Sequence, residues 1–263
     1  MNLGGRTVLL TGATGGLGHA IARGLAARGA AVVLTGRRAE PLAALAEELG
    51  GRAIAADLVE PGAPARLIAE AGDVDVLVAN AALPASGELD SFTPEQIDRA
   101  LGVNLRAPIQ LARLLMEPLA ASRDGHLVFV GSLSGKSAGP HSSLYSATKF
   151  GLRGFALSLR QDLAGHGVGV SLVSPGFIRD AGMFADSGAR LPPGVGTSTP
   201  EDVAAAVVRA IEADRAEVDV APLAVRAGAR LAGLAPGLSA GVQARLGSFE
   251  VARDIGAAQR DKR

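Results

Sequence analysis

Seven short apolar runs, several rich in β-branched residues, recur along the chain, and between most of them apolar positions return every three or four residues. The runs are Arg6–Thr11, Ala31–Thr35, Arg52–Ala56, Val74–Ala79, His126–Gly131, Gly167–Ser174 and Glu217–Ala221. They are too short for ordinary helices, and the most apolar read as strands buried on both faces. Helical spacing follows the first run from Ile21 to Gly29. It then covers about 41–49, 63–71, 93–121, 143–164 and 200–213. Strands alternating with helices predict an α/β fold, a doubly wound parallel sheet of about seven strands with helices on both faces.

Local signals refine this pattern. Thr93 and Thr199 each precede a proline and acidic or amide residues, so each predicts a capped helix start. Pro108 and Pro118 predict kinks in the helix over 93–121. Asn104 lies inside that helix, where its side chain competes for backbone hydrogen bonds, and it reads either as a surface residue or as one buried at a helix bulge. Residues 177–199 look like a long loop after a strand end, the place of a ligand lid, with Met183, Phe184 and Leu191 making it apolar. From about 222 to 250, Leu223, Ala227, Leu231, Leu234, Leu238, Val242 and Leu246 repeat at helical spacing. Arg226, Arg230 and Arg245 fall among them and Pro236 interrupts. This extension suits packing on the parent domain or on another subunit better than a membrane surface. The final AAQRDKR is expected to be disordered.

Composition narrows the function classes. The 263 residues fit one domain over 1–263, and 26 basic against 26 acidic residues leave no footprint for nucleic acid or an anionic membrane. Cysteine is absent, which excludes disulfides and thiolate chemistry. His19, His126, His141 and His166 are scattered without carboxylate clusters, so no metal site is expected. There is no signal-peptide pattern at the start and no apolar run long enough to span a bilayer, which predicts a cytoplasmic protein.

The glycines after the first strand change the picture from fold to ligand. Gly12, Gly15, Gly16 and Gly18 stand between a strand and a helix. There a pyrophosphate reaches the helix N-terminus only if no Cβ blocks it, as in a Rossmann-type dinucleotide fold. Arg37, nineteen residues past Gly18, stands where an acidic residue would accept from a ribose 2′-hydroxyl. An arginine there accommodates a 2′-phosphate, which favours NADP(H) over NAD(H). Asp57, at the end of the third strand, is either a helix cap or a residue near the adenine. Asn80 and Ser132 also fall at strand ends. Tyr145, the only tyrosine, and Lys149, one of three lysines, stand four apart on one helical face. A hydroxyl, a phenol and an amine together suggest proton transfer at an oxygen. The ammonium would favour the phenolate of a group whose ordinary pKa is about 10.

Over about the first 220 positions these motifs resemble the short-chain dehydrogenases/reductases. Thr11 to Gly18 matches the family's TGxxxGxG turn, Tyr145 and Lys149 its YxxxK motif, and Ser132 stands thirteen residues before the tyrosine. Asn104 matches the fourth catalytic position and Pro175-Gly176 the turn beside the nicotinamide. The resemblance implies that Tyr145 is the general acid and base, and that Ser132 holds the substrate oxygen. It implies that Lys149 lowers the tyrosine pKa and binds the nicotinamide ribose, and that Asn104 holds a water in the proton relay. It places Gly12, Thr14, Gly16, Leu17 and Gly18 on the cofactor, with Arg37, Asp57 and Asn80 at the next strand ends. Tyr145, Lys149, Pro175, Gly176 and Ile178 complete that set.

The chain departs from the pattern in three places. NNAG is replaced by Ala79-Asn80-Ala81-Ala82. The basic residue that NADP-dependent members often carry inside the turn is Gly15, and Asp180 replaces the usual threonine after the PG turn. A carboxylate beside a pyrophosphate would be repelled, so Asp180 is expected to follow another path or to face substrate. The leading expectation is an NADP(H)-dependent oxidoreductase interconverting a carbonyl and a secondary alcohol, acting on a small, apolar or aromatic compound. A homodimer or homotetramer is implied, joined through the helices at 93–121 and 143–164. The alternatives are an inactive dinucleotide-binding regulator and a nucleotide-sugar epimerase or dehydratase, whose larger substrate domain does not fit the residues left after 180.

Overall fold

The computed structural model describes residues 1–192, 195–237, 241 and 248–262. Thr7–Thr11 (β1), Ala31–Gly36 (β2), Arg52–Ala55 (β3), Val76–Ala79 (β4), Gly125–Val130 (β5), Val168–Pro175 (β6) and Glu217–Val220 (β7) form one sheet. Their order is β3-β2-β1-β4-β5-β6-β7, and every neighbouring pair is parallel. The order reverses between β1 and β4, so their carboxyl ends flank a crevice.

Helices cover both faces. In chain order they are Gly16–Ala26 (α1), Ala39–Leu49 (α2), Ala63–Ala71 (α3), Pro94–Leu101 (α4), Ala107–Ser122 (α5), Ser143–Asp162 (α6), Pro200–Glu212 (α7), Leu223–Leu234 (α8) and Ser248–Ala258 (α9). Val8 and Leu10 of β1 enter one core with α1, α2 and α7, whereas Leu9 enters the other with α3, α5 and α6. Successive strand residues point to opposite faces, so a strand covered on both sides is apolar at consecutive positions. The predicted sheet and helix layers are therefore present, with element ends shifted by a residue or two. The fourth strand is the most shortened, although Asp75 before it still bonds to Thr7 and His126 through its main chain and accepts the Thr7 N–H on its carboxylate at 2.8 Å.

Two expectations hold at the helix starts. Thr93 with Gln96, and Thr199 with Asp202, form reciprocal capping boxes at α4 and α7, each contributing about 1 kcal/mol. The helix expected over 93–121 is not continuous. Gly102–Arg106 forms a π turn between α4 and α5, closed by Ala107 donating to the carbonyl of Gly102. Pro108 has no N–H for the carbonyl of Asn104 four residues back, which favours the wider turn there. Asn104 is accordingly buried at a bulge, and Pro118 stays inside α5.

Leu223, Leu231 and Leu234 of α8 are 73%, 66% and 83% exposed on the single chain, while Ala229 and Ala232 face the protein. Of the two surfaces expected for this extension, the domain takes the alanines of α8 and leaves these leucines uncovered. Leu238, Val242, Arg245 and Leu246 lie outside the described residues. One expectation is corrected at the end of the chain. The final segment expected to be disordered instead continues α9 to Ala258 and then makes a turn over Arg260–Lys262. Gln259 within it is buried. Among the described residues no helix is long and apolar enough to cross a membrane.

Candidate active site

The turn after β1 is shaped by close approaches that exclude side chains. Gly12 has a φ of +67°, and a Cβ there would stand 2.7 Å from the Ala81 Cα. A Cβ on Gly18 would meet the Gly12 carbonyl at 2.2 Å, and one on Gly16 the Ala181 Cβ at 2.3 Å. Two of these glycines hold the strand-to-helix turn closed, and the third lets the loop after β6 settle on it. Gly15 caps α1 without any side-chain hydrogen bond, and no acidic residue lies in the first turn. The N–H groups and positive dipole end of α1 thus remain for an anion.

Asn80 ties β4 to this turn, its Nδ2 donating to the carbonyls of Thr11 at 3.0 Å and Gly12 at 3.1 Å. Thr11 Oγ1 accepts the N–H groups of Asn80 and Ala81 in return. Beyond β2, Arg37 and Arg38 both line the cleft, and Arg38 donates to the carbonyl of Thr14 at 2.7 Å. The sequence singled out Arg37 and gave no means of separating it from its neighbour. Asp57 also lines the cleft, but both its oxygens have protein partners, Arg99 at 2.7 Å and the Val59 N–H at 3.3 Å. Burial raises its pKa, and Arg99, the Val59 N–H and the nearby Arg37 outweigh that, so it is held below the usual carboxylate range.

Tests of fit support a dinucleotide. The glycine turn leaves an open cradle at a helix N-terminus, two arginines stand at its far end, and the Thr35 hydroxyl beside them is buried with no partner in the protein. Pro175 ends β6, and Gly176 pairs with the Val220 carbonyl at 3.0 Å. Ile178 is buried and bridges to Ser198, pinning the base of the following loop. Asp180, with φ +70°, turns Ala181 onto Gly16 while its carboxylate reaches the Arg179 Nε at 3.4 Å. Thr14, Leu17 and Gly182 also line this half of the cleft. A Cβ on Gly15 would meet nothing nearer than the Gly12 carbonyl oxygen at 3.5 Å.

The second half of the cleft carries the reactive groups. After β5, Ser132 is extended, and its Oγ accepts the Ser134 N–H at 3.1 Å at the head of a short turn over Leu133–Gly135. That turn presses on α6 so closely that a Cβ on Gly135 would stand 2.6 Å from the Lys149 carbonyl. The contact fixes Ser132 against Tyr145 and Lys149, one helical turn apart on α6. Burial raises the pKa of Tyr145, while the hydrogen bond to Ser132 opposes this. Lys149 is buried, donates to the Val130 carbonyl at 3.0 Å, and has its pKa lowered to about 8 by burial. Burial is the larger of the two effects on the phenol.

Asn104 is placed differently from the other three. Its Oδ1 accepts the Leu83 N–H at 2.7 Å and its Nδ2 donates to the Leu83 carbonyl at 3.0 Å, so both ends of the side chain clamp the loop after β4. Val103, not Asn104, lines the cleft. The carboxamide is a structural clamp behind the wall.

Sequence reasoning found the loop of the roof and missed its helices. The cavity measures about 1550 Å³, and α8 and α9 close over it together with the 177–199 loop. Arg230 ties α8 to Asp219 of β7 at 3.0 Å, and Asp219 in turn holds the buried Lys136 at 2.5 Å. A Cβ on Gly256 of α9 would stand 2.9 Å from the Gly87 Cα, so α9 rests directly on backbone. Among the described residues no cluster of three or more His, Asp or Glu could hold a metal.

Comparison with known proteins agrees with this arrangement. Residues 6–191 match the short chain dehydrogenase family. The chain is 38% identical over 227 residues to the ketoacyl reductase HetN of a Nostoc species, covering 83% of this chain and 79% of that protein. It is similar to the solved structure of a short-chain dehydrogenase from Sphingobium yanoikuyae in complex with NADPH. There the TM-score is 0.76 at 30% identity, over 89% of this chain and 94% of the other. A 3-ketoacyl-(acyl-carrier-protein) reductase from Brucella melitensis complexed with NADH gives a TM-score of 0.75 at 27% identity, over 83% and 97%.

Proposed function

Since the chain belongs to the short-chain dehydrogenase/reductase family, we propose that Tyr145 is the general acid and base by which it interconverts a carbonyl and a secondary alcohol. As a family member it is an NAD(P)-dependent oxidoreductase acting on CH–OH and C=O groups. The observation that carries the residue assignment is the convergence of Ser132, Tyr145 and Lys149 beside a glycine-cradled helix end.

In reduction, the Tyr145 phenol gives its proton to the carbonyl oxygen, and in oxidation the phenolate takes the proton of the alcohol. The Ser132 hydroxyl donates to the same oxygen and polarises it. Lys149 remains mostly cationic at neutral pH despite its burial, and its charge favours the phenolate left after proton donation. A nicotinamide cofactor held along the glycine turn and Pro175-Gly176 would supply or accept the hydride. Asn104 is a positioning residue through its hold on Leu83. The water expected beside it falls to its main-chain carbonyl, which Pro108 cannot engage.

NADP(H) is the preferred cofactor in this reading, because Arg37 and Arg38 offer cations at the adenosine end of the cleft, where a 2′-phosphate would lie. The apolar side chains around Met183 and Phe184 suit a hydrophobic or aromatic carbonyl compound. Assembly through α5 and α6 gives a homodimer or homotetramer, consistent with Phe150 of α6 being 41% exposed. Fluorescence titration with NADPH and NADH, followed by a screen of ketones and aldehydes for NADPH consumption, tests the reading. Tighter NADPH binding with ketone-dependent turnover supports it; binding without any turnover across the panel overturns it.

A further inference from the structure

We propose that Gln259, the residue just past the end of α9, is the polar recognition residue of the substrate site. It selects an uncharged, elongated carbonyl compound or alcohol bearing one polar group far from the reacting carbon. The proposal rests on the oxidoreductase reading above and goes beyond it to the substrate class.

The cofactor turn and the reactive groups lie within residues 6–191, which match the family, whereas α8 and α9 lie outside that span. The family match thus ends before the two helices that close the substrate half. Val251 and Ile255 stand four apart on one face of α9, Gln259 keeps the same spacing just past its end, and all three line the cavity. The first two are apolar. Gln259 is 3% exposed, its backbone still bonds to Ile255 at 3.2 Å, and its Oε1 has no partner in the protein.

A buried amide oxygen left without a partner is costly, so a ligand group that satisfies it is favoured. Rotation about the last torsion exchanges the oxygen and the nitrogen easily, so the carboxamide can accept from or donate to a hydroxyl. Its placement is not that of a loose chain end. Gly256 seats α9 on Gly87, and Phe249 meets the His141 ring edge-on at 6.1 Å.

Charge and size define the rest of the ligand. The basic residues lining the cavity among those described are Arg37 and Arg38 at the adenosine end and Lys149 beside Tyr145. Toward α9 the charged lining residues among those described are Asp186 and Asp261, so a terminal carboxylate or phosphate meets no cation among them. The cavity of about 1550 Å³ exceeds the roughly 300–1,000 Å³ of an ordinary small-molecule site, leaving room for a long substrate beside a dinucleotide.

The test uses the full chain loaded with NADP⁺, which has no hydride to give a ketone. Straight-chain methyl ketones of graded length, each with and without a terminal hydroxyl or carboxylate, are titrated calorimetrically into wild type and Gln259→Leu. At the length that reaches α9, the hydroxyl should tighten binding to wild type by about 2- to 13-fold. Gln259→Leu should lose that gain and keep its affinity for the cofactor and for the unsubstituted ketone. The assignment is overturned if the hydroxyl helps at no length, if Gln259→Leu keeps the gain, if the carboxylate binds more tightly than the hydroxyl, or if the longer ketones do not bind. Should Gln259→Leu fail to fold, the wild-type comparison alone decides. Turnover with NADPH is read separately: failure to reduce ketones that bind counts against the oxidoreductase reading, not against Gln259.

Discussion

Lys149 donates its ammonium to the Val130 carbonyl at 3.0 Å while holding it 5.7 Å from the centre of the Tyr145 ring. One cation is thereby anchored to the sheet and placed beside the phenol at the same time. Burial lowers its pKa to about 8. Carbonyl reduction should therefore hold steady near neutral pH and decline as pH rises past about 8, where the charge is lost. Lys149→Arg, if active, should move the decline upward, because an arginine keeps its proton beyond about pH 12. A pH profile of kcat for the two proteins decides it, and an unshifted alkaline limb would count against Lys149 as its source. The same burial costs stability at lower pH. That cost fades between about 8 and 10.5, where the unfolded chain still binds the proton that the folded chain has released.

Replacing Tyr145 by Phe removes the proton carrier and little else, since the ring remains to fill its place. Turnover should fall at least about 10²- to 10⁴-fold, with NADPH affinity unchanged in a fluorescence titration. Wild-type turnover in Tyr145→Phe would remove the phenol from the mechanism.

The two arginines should separate by cofactor. Among the described residues Arg37 makes no hydrogen bond and acts only through its charge on Asp57, whereas Arg38 braces the Thr14 carbonyl. Arg37→Ala should weaken NADPH by about 10- to 150-fold, the worth of a charge-assisted hydrogen bond, and leave NADH nearly unchanged. Arg38→Ala should weaken both, because the glycine turn loses its support. Equal losses for both cofactors in Arg37→Ala would argue against a 2′-phosphate contact.

Asn104→Ala leaves the buried N–H and carbonyl of Leu83 without the side chain that satisfies them. Urea unfolding should show a destabilisation of roughly 2–4 kcal/mol. A change below about 0.5 kcal/mol, within the range of ordinary surface substitutions, would show that Leu83 finds other partners.

His126 is buried, its Nε2 lies 2.8 Å from the Ser171 hydroxyl, and burial pushes its pKa down to about 4. Between about pH 4 and 6.5 the unfolded chain binds a proton that the folded chain refuses, so stability is lost as pH falls through that window. Its share of the loss at about pH 5 is about 2 kcal/mol. His126→Gln should flatten the dependence of unfolding free energy on pH, whatever its stability at neutral pH. An equally steep slope in that variant would assign the effect to other groups.

Much of this arrangement was legible because local rules dictate it. A strand that must stop, a turn that tolerates no Cβ and a helix that must begin leave marks at Gly12, Gly16 and Gly18. Tyr145 and Lys149 are read together because four residues is one helical turn. The π turn was harder. Asn104 and Pro108 hinted at a bulge, but where a helix widens is settled by what surrounds it, here Val59 against Gly102. The leucines of α8 show the limit of periodicity, which marks a face without saying what covers it. Gln259 was read as part of a polar tail, and its burial depends on Gly256 meeting Gly87, a contact between positions far apart in sequence.

Because β1, β4, β5 and β6 lie side by side, the parts of the cleft are gathered from residues 11 to 176. Parallel pairing of this kind closes long loops before it returns any contacts, and such topologies assemble slowly. No fragment ending before β6 brings the glycine turn and Pro175 to one crevice. During refolding, therefore, the return of turnover dates the docking of β6, and enzymatic activity serves as a clock for the completion of the central sheet.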